Sequence, residues 1–203
     1  FSSAKVFNNG DAYGQSNNPL TWDVSSVTNV SEMFSNMGFN QDLCSWDVSH
    51  FTSLFRMFHS NTSFNQNLSC WDTSNVTNMT EMFKGSAFDN GGQPLTWDTS
   101  NVTKMNGMFD YISYGMGSAR FNQDISCWDT SSVTNMNNMF YKNSHFNQDI
   151  SNWCVDNISS EPSNFTSTAT LSDSNKPVWG SCPSINRVSL TTNDSDNIIV
   201  NYN

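Results

Sequence analysis

Five cysteines, three histidines and one regular column of aspartates are the residues of this chain whose chemistry could go beyond packing. Cys44, Cys70, Cys127, Cys154 and Cys182 could be oxidised in pairs, but none has the Cys-x-x-Cys spacing of a zinc site or redox motif. His50, His59 and His145 have no Ser or Cys in a matching register, so the base-and-nucleophile pairing of covalent catalysis is not expected. Asp23, Asp47, Asp72, Asp98 and Asp129 each follow a Trp. Carboxylates stacked about 4.8 Å apart repel one another unless water, hydroxyls or cations screen them. One reading is an Asp that accepts hydrogen bonds from the following Ser and from backbone N–H groups in a turn. A ladder of Ca²⁺ sites is the sharper reading, but Ca²⁺ takes about six to eight oxygens and no EF-hand-like loop supplies them. The expectation is no enzyme, no cofactor and no metal.

The background to these residues is acidic but sparsely charged. Eight Lys and Arg against eighteen Asp and Glu leave a formal charge of −10, and the cations are scattered. A phosphate-neutralising face needs clustered cations, so neither nucleic acid nor an anionic membrane is an expected partner. No apolar run approaches the roughly 20 residues that span a bilayer, so membrane insertion is not expected either. Charged residues are only 13% of the chain, which leaves solubility to Ser, Thr and Asn, a composition more common outside cells than inside. Nine Asn-X-Ser/Thr sequons are candidate glycosylation sites: Asn29, Asn61, Asn67, Asn75, Asn78, Asn101, Asn157, Asn164 and Asn193. No positively charged, apolar leader opens the sequence, so any signal peptide is expected to have been removed or to lie outside it.

The elements that must position these residues repeat. Trp22, Trp46, Trp71, Trp97, Trp128 and Trp153 follow one another at steps of 24, 25, 26, 31 and 25. Behind the first five come Met-Phe pairs ending in Phe34, Phe58, Phe83, Phe109 and Phe140. Within one unit Leu68, Trp71, Thr73 and Val76 have the rhythm of a short strand that points large side chains inward, leaving Asp47 and Asp72 outward in their units. Met79, Met82 and Phe83 then recur at i, i+3 and i+4, the apolar stripe of a helix about two turns long, with Asn78-x-x-Glu81 placed like a capping box. A unit with one apolar side must stack on its neighbours. The expected fold is a right-handed, leucine-rich-repeat-like solenoid with a short parallel strand and a short helix in each of about six to seven coils. The Trp residues and the five Phe residues named above form its expected core. Cys44 and Cys70 lie in neighbouring coils, where a diagonal disulfide is geometrically open. Cys127 shares a column with Cys70, but the intervening coil puts them near 10 Å apart, beyond the roughly 7 Å limit of a bridge.

Phe-Asn-Gln-Asp-Leu-x-x-Trp-Asp-Val-Ser, followed by Val-Thr-Asn-Met-x-x-Met-Phe, resembles the repeat of BspA-like leucine-rich-repeat surface proteins, across approximately residues 1–183. The resemblance implies an exported or surface-displayed protein used in adhesion or contact, and no catalytic residues. It also favours pairing of Cys154 with Cys182, which leaves Cys127 free, bridged to another chain, or competing with Cys182 for Cys154. Phe1 and Phe7 keep the six-residue step of Phe58 and Phe64, so the array is expected to start mid-repeat and to need a neighbour over its first coil. Residues 150–183 read as a degenerate terminal coil in which Ile158 and Phe165 keep the Val and Phe columns and Glu161-Pro162 replaces the helix start. Residues 184–203 read as a β cap or the start of a following module.

A Tyr- and Gly-rich insertion, residues 110–120, brings Tyr111 and Tyr114 to an edge where recognition is commonly placed. The expected function is a non-enzymatic extracellular or cell-surface repeat protein for adhesion or structural assembly, in the setting of a larger filament or multi-domain surface protein. Its partner would be a protein or glycan surface, copies of itself or other subunits. The alternative is a lectin-like or calcium-dependent ligand-recognition domain using Tyr111, Tyr114 and the Asp face.

Overall fold

In a computed structural model the described residues are 19–111, 120–166, 171–183, 189–192 and 198–201. Regular elements among them are two single-turn 3-10 segments, Asn90–Gly92 and Asp173–Asn175, and the strands β1 (Ser189–Thr192) and β2 (Ile198–Asn201). β1 and β2 pair antiparallel, with Ser189 opposite Asn201. The described parts of the repeats contain neither a strand nor an α-helix. This overturns the expected right-handed, leucine-rich-repeat-like solenoid of strand plus helix. Parallel pairing shrinks there to single bridges, Ser53 with Asn78, Asn78 with Lys104, Lys104 with Asn135, and Phe140 with Thr166.

What replaces the helix is a string of turns in which alternate amides look inward and onward. Met79, Glu81, Phe83 and Gly85 donate to the carbonyls of Lys104, Asn106, Met108 and Asp110 in the next unit at 2.7–3.0 Å. Met82, Lys84 and Ser86 close i to i−3 turns on Met79, Glu81 and Phe83 at 3.0–3.2 Å. An α-helix would spend every one of these N–H groups on itself and leave none for the neighbour. The helix is broken at two recurrent positions, the residue before each Met or its equivalent and, in four units, the residue four further on, Asn36, Ser60, Gly85 and Lys142, with φ between 54° and 67°. At the first position Glu32, Arg56, Glu81, Gly107, Asn138 and Asn164 have φ between 52° and 63°. A left-handed third residue in an i to i+3 turn is the sign of a type II turn, and it cannot propagate as a right-handed helix. Turn closure still puts Met79 and Met82 on one side, so the apolar spacing is served without a helix. The capping-box reading of Asn78 and Glu81 also fails: the Asn78 side chain accepts from the Thr80 amide at 3.0 Å, and Glu81 turns to Arg56 and Lys84.

The Trp side of each unit is built in the same way. Trp71 donates its backbone N–H to Leu68 and Val76 donates to Thr73, at 3.1 and 2.9 Å. Leu68, Trp71, Thr73 and Val76 are buried. Each buried indole must pair its N–H, and it does so on the unit before: Trp46 on Leu20 O, Trp71 on Leu43 O, Trp97 on Leu68 O, Trp128 on Leu95 O and Trp153 on Ile125 O, at 2.7–3.1 Å. Trp22 is only partly buried against the same core. Rings stack in columns, with Trp71, Trp97, Trp128 and Trp153 at 6.2–6.4 Å centroid spacing. Phe34, Phe58, Phe83, Phe109 and Phe140 stack at 5.5–5.8 Å, and each also lies 3.7–4.0 Å from a second Phe of its own unit.

The last unit differs. The step from Ile158 to Pro162 is one residue longer than from Val133 to Met136. Phe165 therefore takes the backbone place of Met139 rather than of a column Phe: Phe140 N–H donates to Phe165 O as Phe109 N–H donates to Met139 O. Residues 171–183 fold over this end. Trp179 packs edge-on to Phe165 at 5.0 Å, Ser181 O accepts from Val155 N–H, and Lys176 pairs with Glu161 and Asp173.

Replacing Trp71 by Ala should lower unfolding free energy by roughly 3–5 kcal/mol, as truncation of a buried aromatic does. Asp72→Ala should cost far less, because the carboxylate is exposed and holds only a local turn. Denaturant titration of both variants compares them, and equal losses would contradict a Trp core. Gly107 tests the left-handed position separately. A Cβ there would approach Glu81 Cγ at 3.0 Å with φ at +63°. Gly107→Ala should cost about 1–2 kcal/mol and Gly107→Asn less, because Asn tolerates this conformation.

Candidate functional site

Five units expose an Asp-x-Ser-x-x-Thr run, with Asn after the Ser in two of them, at Asp72, Ser74, Asn75 and Thr77 and at Asp98, Ser100, Asn101 and Thr103. None of these side chains is loose. Ser25, Ser49, Ser74, Ser100 and Ser131 donate backbone N–H to Asp23, Asp47, Asp72, Asp98 and Asp129 at 2.9–3.1 Å. The Asn75 amide bonds back to Ser49 O, Asn101 to Ser74 O and Asn157 to Ser131 O, at 2.6–2.8 Å. His50, at the position of Asn75, reaches back two residues further along, its Nε2 lying 3.0 Å from Val27 O. The Thr77, Thr103 and Thr134 hydroxyls donate to Thr52 O, Thr77 O and Thr103 O at 3.1–3.2 Å. The result is a polar face whose rotamers are set before any partner arrives.

The aspartates of this face are turn residues. Hydrogen bonds from the Ser side chain and then from the Ser backbone hold Asp23, Asp47, Asp72 and Asp98 below the usual value of 3.8. Repulsion from Asp47 on Asp72, and from Asp72 on Asp98, opposes this and is the weaker effect. Among the described residues the cluster of metal-ligand type is Cys154, Asp156 and Cys182, whose sulfurs are joined to each other and so offer no thiolate. The second disulfide joins Cys44 to Cys70 across neighbouring units, and Cys127 is unpaired and exposed. Burial and then Asp124 push the Cys127 thiol up, away from the reactive thiolate.

Two further ladders carry no mark in residue chemistry alone. Asn65, Asp89, Asn122 and Asn147 donate backbone N–H to the side-chain oxygens of Asn40, Asn65, Asp89 and Asn122, at 2.7–3.0 Å. The repeated Phe-Asn signals this ladder only as a column, not as a bond. Glu32, Arg56, Glu81, Lys84 and Asp110 form a chain of ion pairs through four units, closest at 2.6 Å between Arg56 and Glu81. Burial pushes Glu81 up, but the hydrogen bonds from Lys84 and Arg56 outweigh it and hold the carboxyl below its usual range. Burial raises Asp110 despite Lys84.

Of the sequons, Asn29, Asn67, Asn75, Asn101, Asn157 and Asn164 are exposed and Asn78 is partly so. Asn61 is not a glycosylation site in this fold. It is fully buried, donates to Phe34 O at 3.2 Å and accepts from the Ser63 and Phe64 amides. Tyr111 is half-buried, with its backbone N–H on Tyr141 O. Tyr114, Asn193 and the N-terminal segment with Phe1 and Phe7 lie outside the described residues. Among the described residues no helix is long and apolar enough to cross a membrane.

The Asp column sets an acid limit. Each of its shifted groups has a folded pKa below the unfolded one, so its contribution is present above the unfolded value and is lost as pH falls through the folded one. Melting temperature should therefore fall on acidification below about pH 4. An Asp47→Asn/Asp72→Asn/Asp98→Asn variant keeps the turn acceptors and should show a shallower acid limb in thermal scans; an identical limb would remove the column from the cause.

Comparison with known proteins adds one match. A family model described as "Mycoplasma protein of unknown function, DUF285" matches residues 1–115 and 90–190. No curated protein and no solved structure matches the chain. With the family model covering most of its length, the chain belongs to the DUF285 family of Mycoplasma proteins of unknown function.

Proposed function

We propose that this chain is a non-enzymatic, extracellular or cell-surface repeat module whose prefixed polar face serves adhesion or assembly. The observation that carries this reading is the immobilised row of exposed Asn75, Asn101, Thr77 and Thr103, each tied to the unit before it. Side chains already held in one rotamer lose little entropy when a partner lands on them, and regular spacing offers many weak contacts at once. Two disulfides support an oxidising, exported setting. The family match and the Trp-Asp and Met-Phe repeat support the finer likeness to BspA-like surface proteins. Partners in this reading are protein or glycan surfaces, including copies of the chain.

Arrays of matrix proteins and glycans probed with the intact chain test the proposal. A Thr77→Lys/Thr103→Lys variant should melt normally and lose at least about tenfold in binding, the effect of about 1.4 kcal/mol. Excess EDTA should leave both melting and binding in place, because a cation bound only by the native state would add RT ln(1 + [L]/Kd) to stability. Binding by neither protein, or equal binding by both, contradicts the adhesive face; loss with EDTA alone would point to calcium-dependent recognition.

A further inference from the structure

We propose that the broken ladder at Thr134–Met136, at the last units of the polar face described above, is a binding site for an extended, uncharged peptide segment that is read by backbone groups rather than by the side-chain rows of that face. In the units at Thr52, Thr77 and Thr103 the Thr carbonyl and the amide two residues on point to the following unit and are met there. Thr77 O receives Thr103 N–H and Met79 N–H reaches Lys104 O, both at 2.9 Å; Thr103 O receives Thr134 N–H and Met105 N–H reaches Asn135 O, again at 2.9 Å. Among the described residues this pair has no such partner at Thr134 and Met136, although Asn138 and Phe140 resume the ladder on Ser163 and Phe165. At this junction the last unit carries an extra residue between Ile158 and Pro162. Among the described residues Thr28 O and Val30 N–H are also unmet, at a unit that keeps the ordinary three-residue step from Val27, so the site at Thr134–Met136 is set apart by the groove beside it.

A groove of about 390 Å³ lies between residues 134–137 and 157–163. One wall is thus an acceptor and a donor at the spacing of a parallel bridge. The rest is Asn and Ser with Ile158 and Pro162, and Glu161 is already paired to Lys176 at 3.2 Å. Nothing cationic is among the groove residues to draw an anion. The groove continues the interface between the units themselves, where the occupant is always a strand-like Thr-x-Met segment or its equivalent. A partner segment of that kind would give its Thr-position N–H to Thr134 O and take Met136 N–H on the next carbonyl, as in β-strand addition.

The test is titration of capped Ser-Val-Thr-Asn-Met-Asn, a copy of residues 132–137, into the ¹⁵N-labelled chain. Saturable shifts are expected at the amides of Thr134, Met136 and residues 159–163. Methylating the peptide's Thr nitrogen should weaken binding about tenfold, the loss of one backbone bond. Deleting Ser160 restores the three-residue step and should abolish binding; if that variant does not fold, the methylated peptide still decides. The proposal is overturned by absence of shifts at millimolar peptide, by indifference to methylation, or by Met136 exchanging its amide hydrogen as slowly as Met105 in the free chain. It is equally overturned if chitobiose, and not the peptide, moves these amides.

Discussion

A backbone that uses neither helix nor sheet must still pair its N–H and C=O groups wherever water is excluded. The repeat meets this constraint by division. Half of the amides around Met82 and Phe83 close turns within the unit and the other half bind the next unit. Neither half would be enough alone. A single unit would leave its onward amides bare, so stability is a property of the stack and each unit depends on its neighbours. Asn40, Asn65 and Asn122 extend the same rule to side chains, standing in for backbone acceptors where the turns supply none.

Packing follows from this pairing rather than preceding it. Because the backbones are locked at one repeat distance, equivalent side chains must stack on copies of themselves, and flat rings are suited to do so. Phe83 and Phe88 lie almost parallel at 3.7 Å within a unit, and Phe83 meets Phe109 at 5.8 Å in the next. Trp suits its column for a second reason: Leu68 O takes both the backbone N–H of Trp71 and the indole N–H of Trp97, using both lone pairs of one carbonyl. Val or Leu in place of Trp could fill part of the volume but could not make that bond.

The spacing of Leu68, Trp71, Thr73 and Val76 separates residues that lie inside from Asp72 and Thr77, which lie outside. It does not reveal conformation. The i, i+3, i+4 spacing of Met79, Met82 and Phe83 suits a helix and a train of turns equally, and what decides between them is the left-handed residue before Met together with the one four residues later. Glu32, Arg56 and Glu81 hold the first of these places with side chains that ordinarily favour helices; only Gly107 and the Asn residues hint at it. Polar columns were visible as repetition, but which atom of Asn65 or Asp89 accepts from which amide depends on the neighbouring unit. The one-residue excess before Pro162 was hidden because a degenerate last unit offers no Met-Phe pair to count from.

Near-identical units create a hazard of their own, since a chain that folds onto the wrong copy can satisfy most of the same bonds. The ion pairs are the part of the pattern that does not repeat. Arg56 stands between Glu32 and Glu81 in the left-handed column, so the sign of charge alternates from one unit to the next. A unit skipped during folding would set Glu32 beside Glu81 and leave the guanidinium of Arg56 without its two carboxylates. Across these three units the charges therefore distinguish otherwise similar coils, and the Cys44–Cys70 bond ties the junction between the second and third of them covalently.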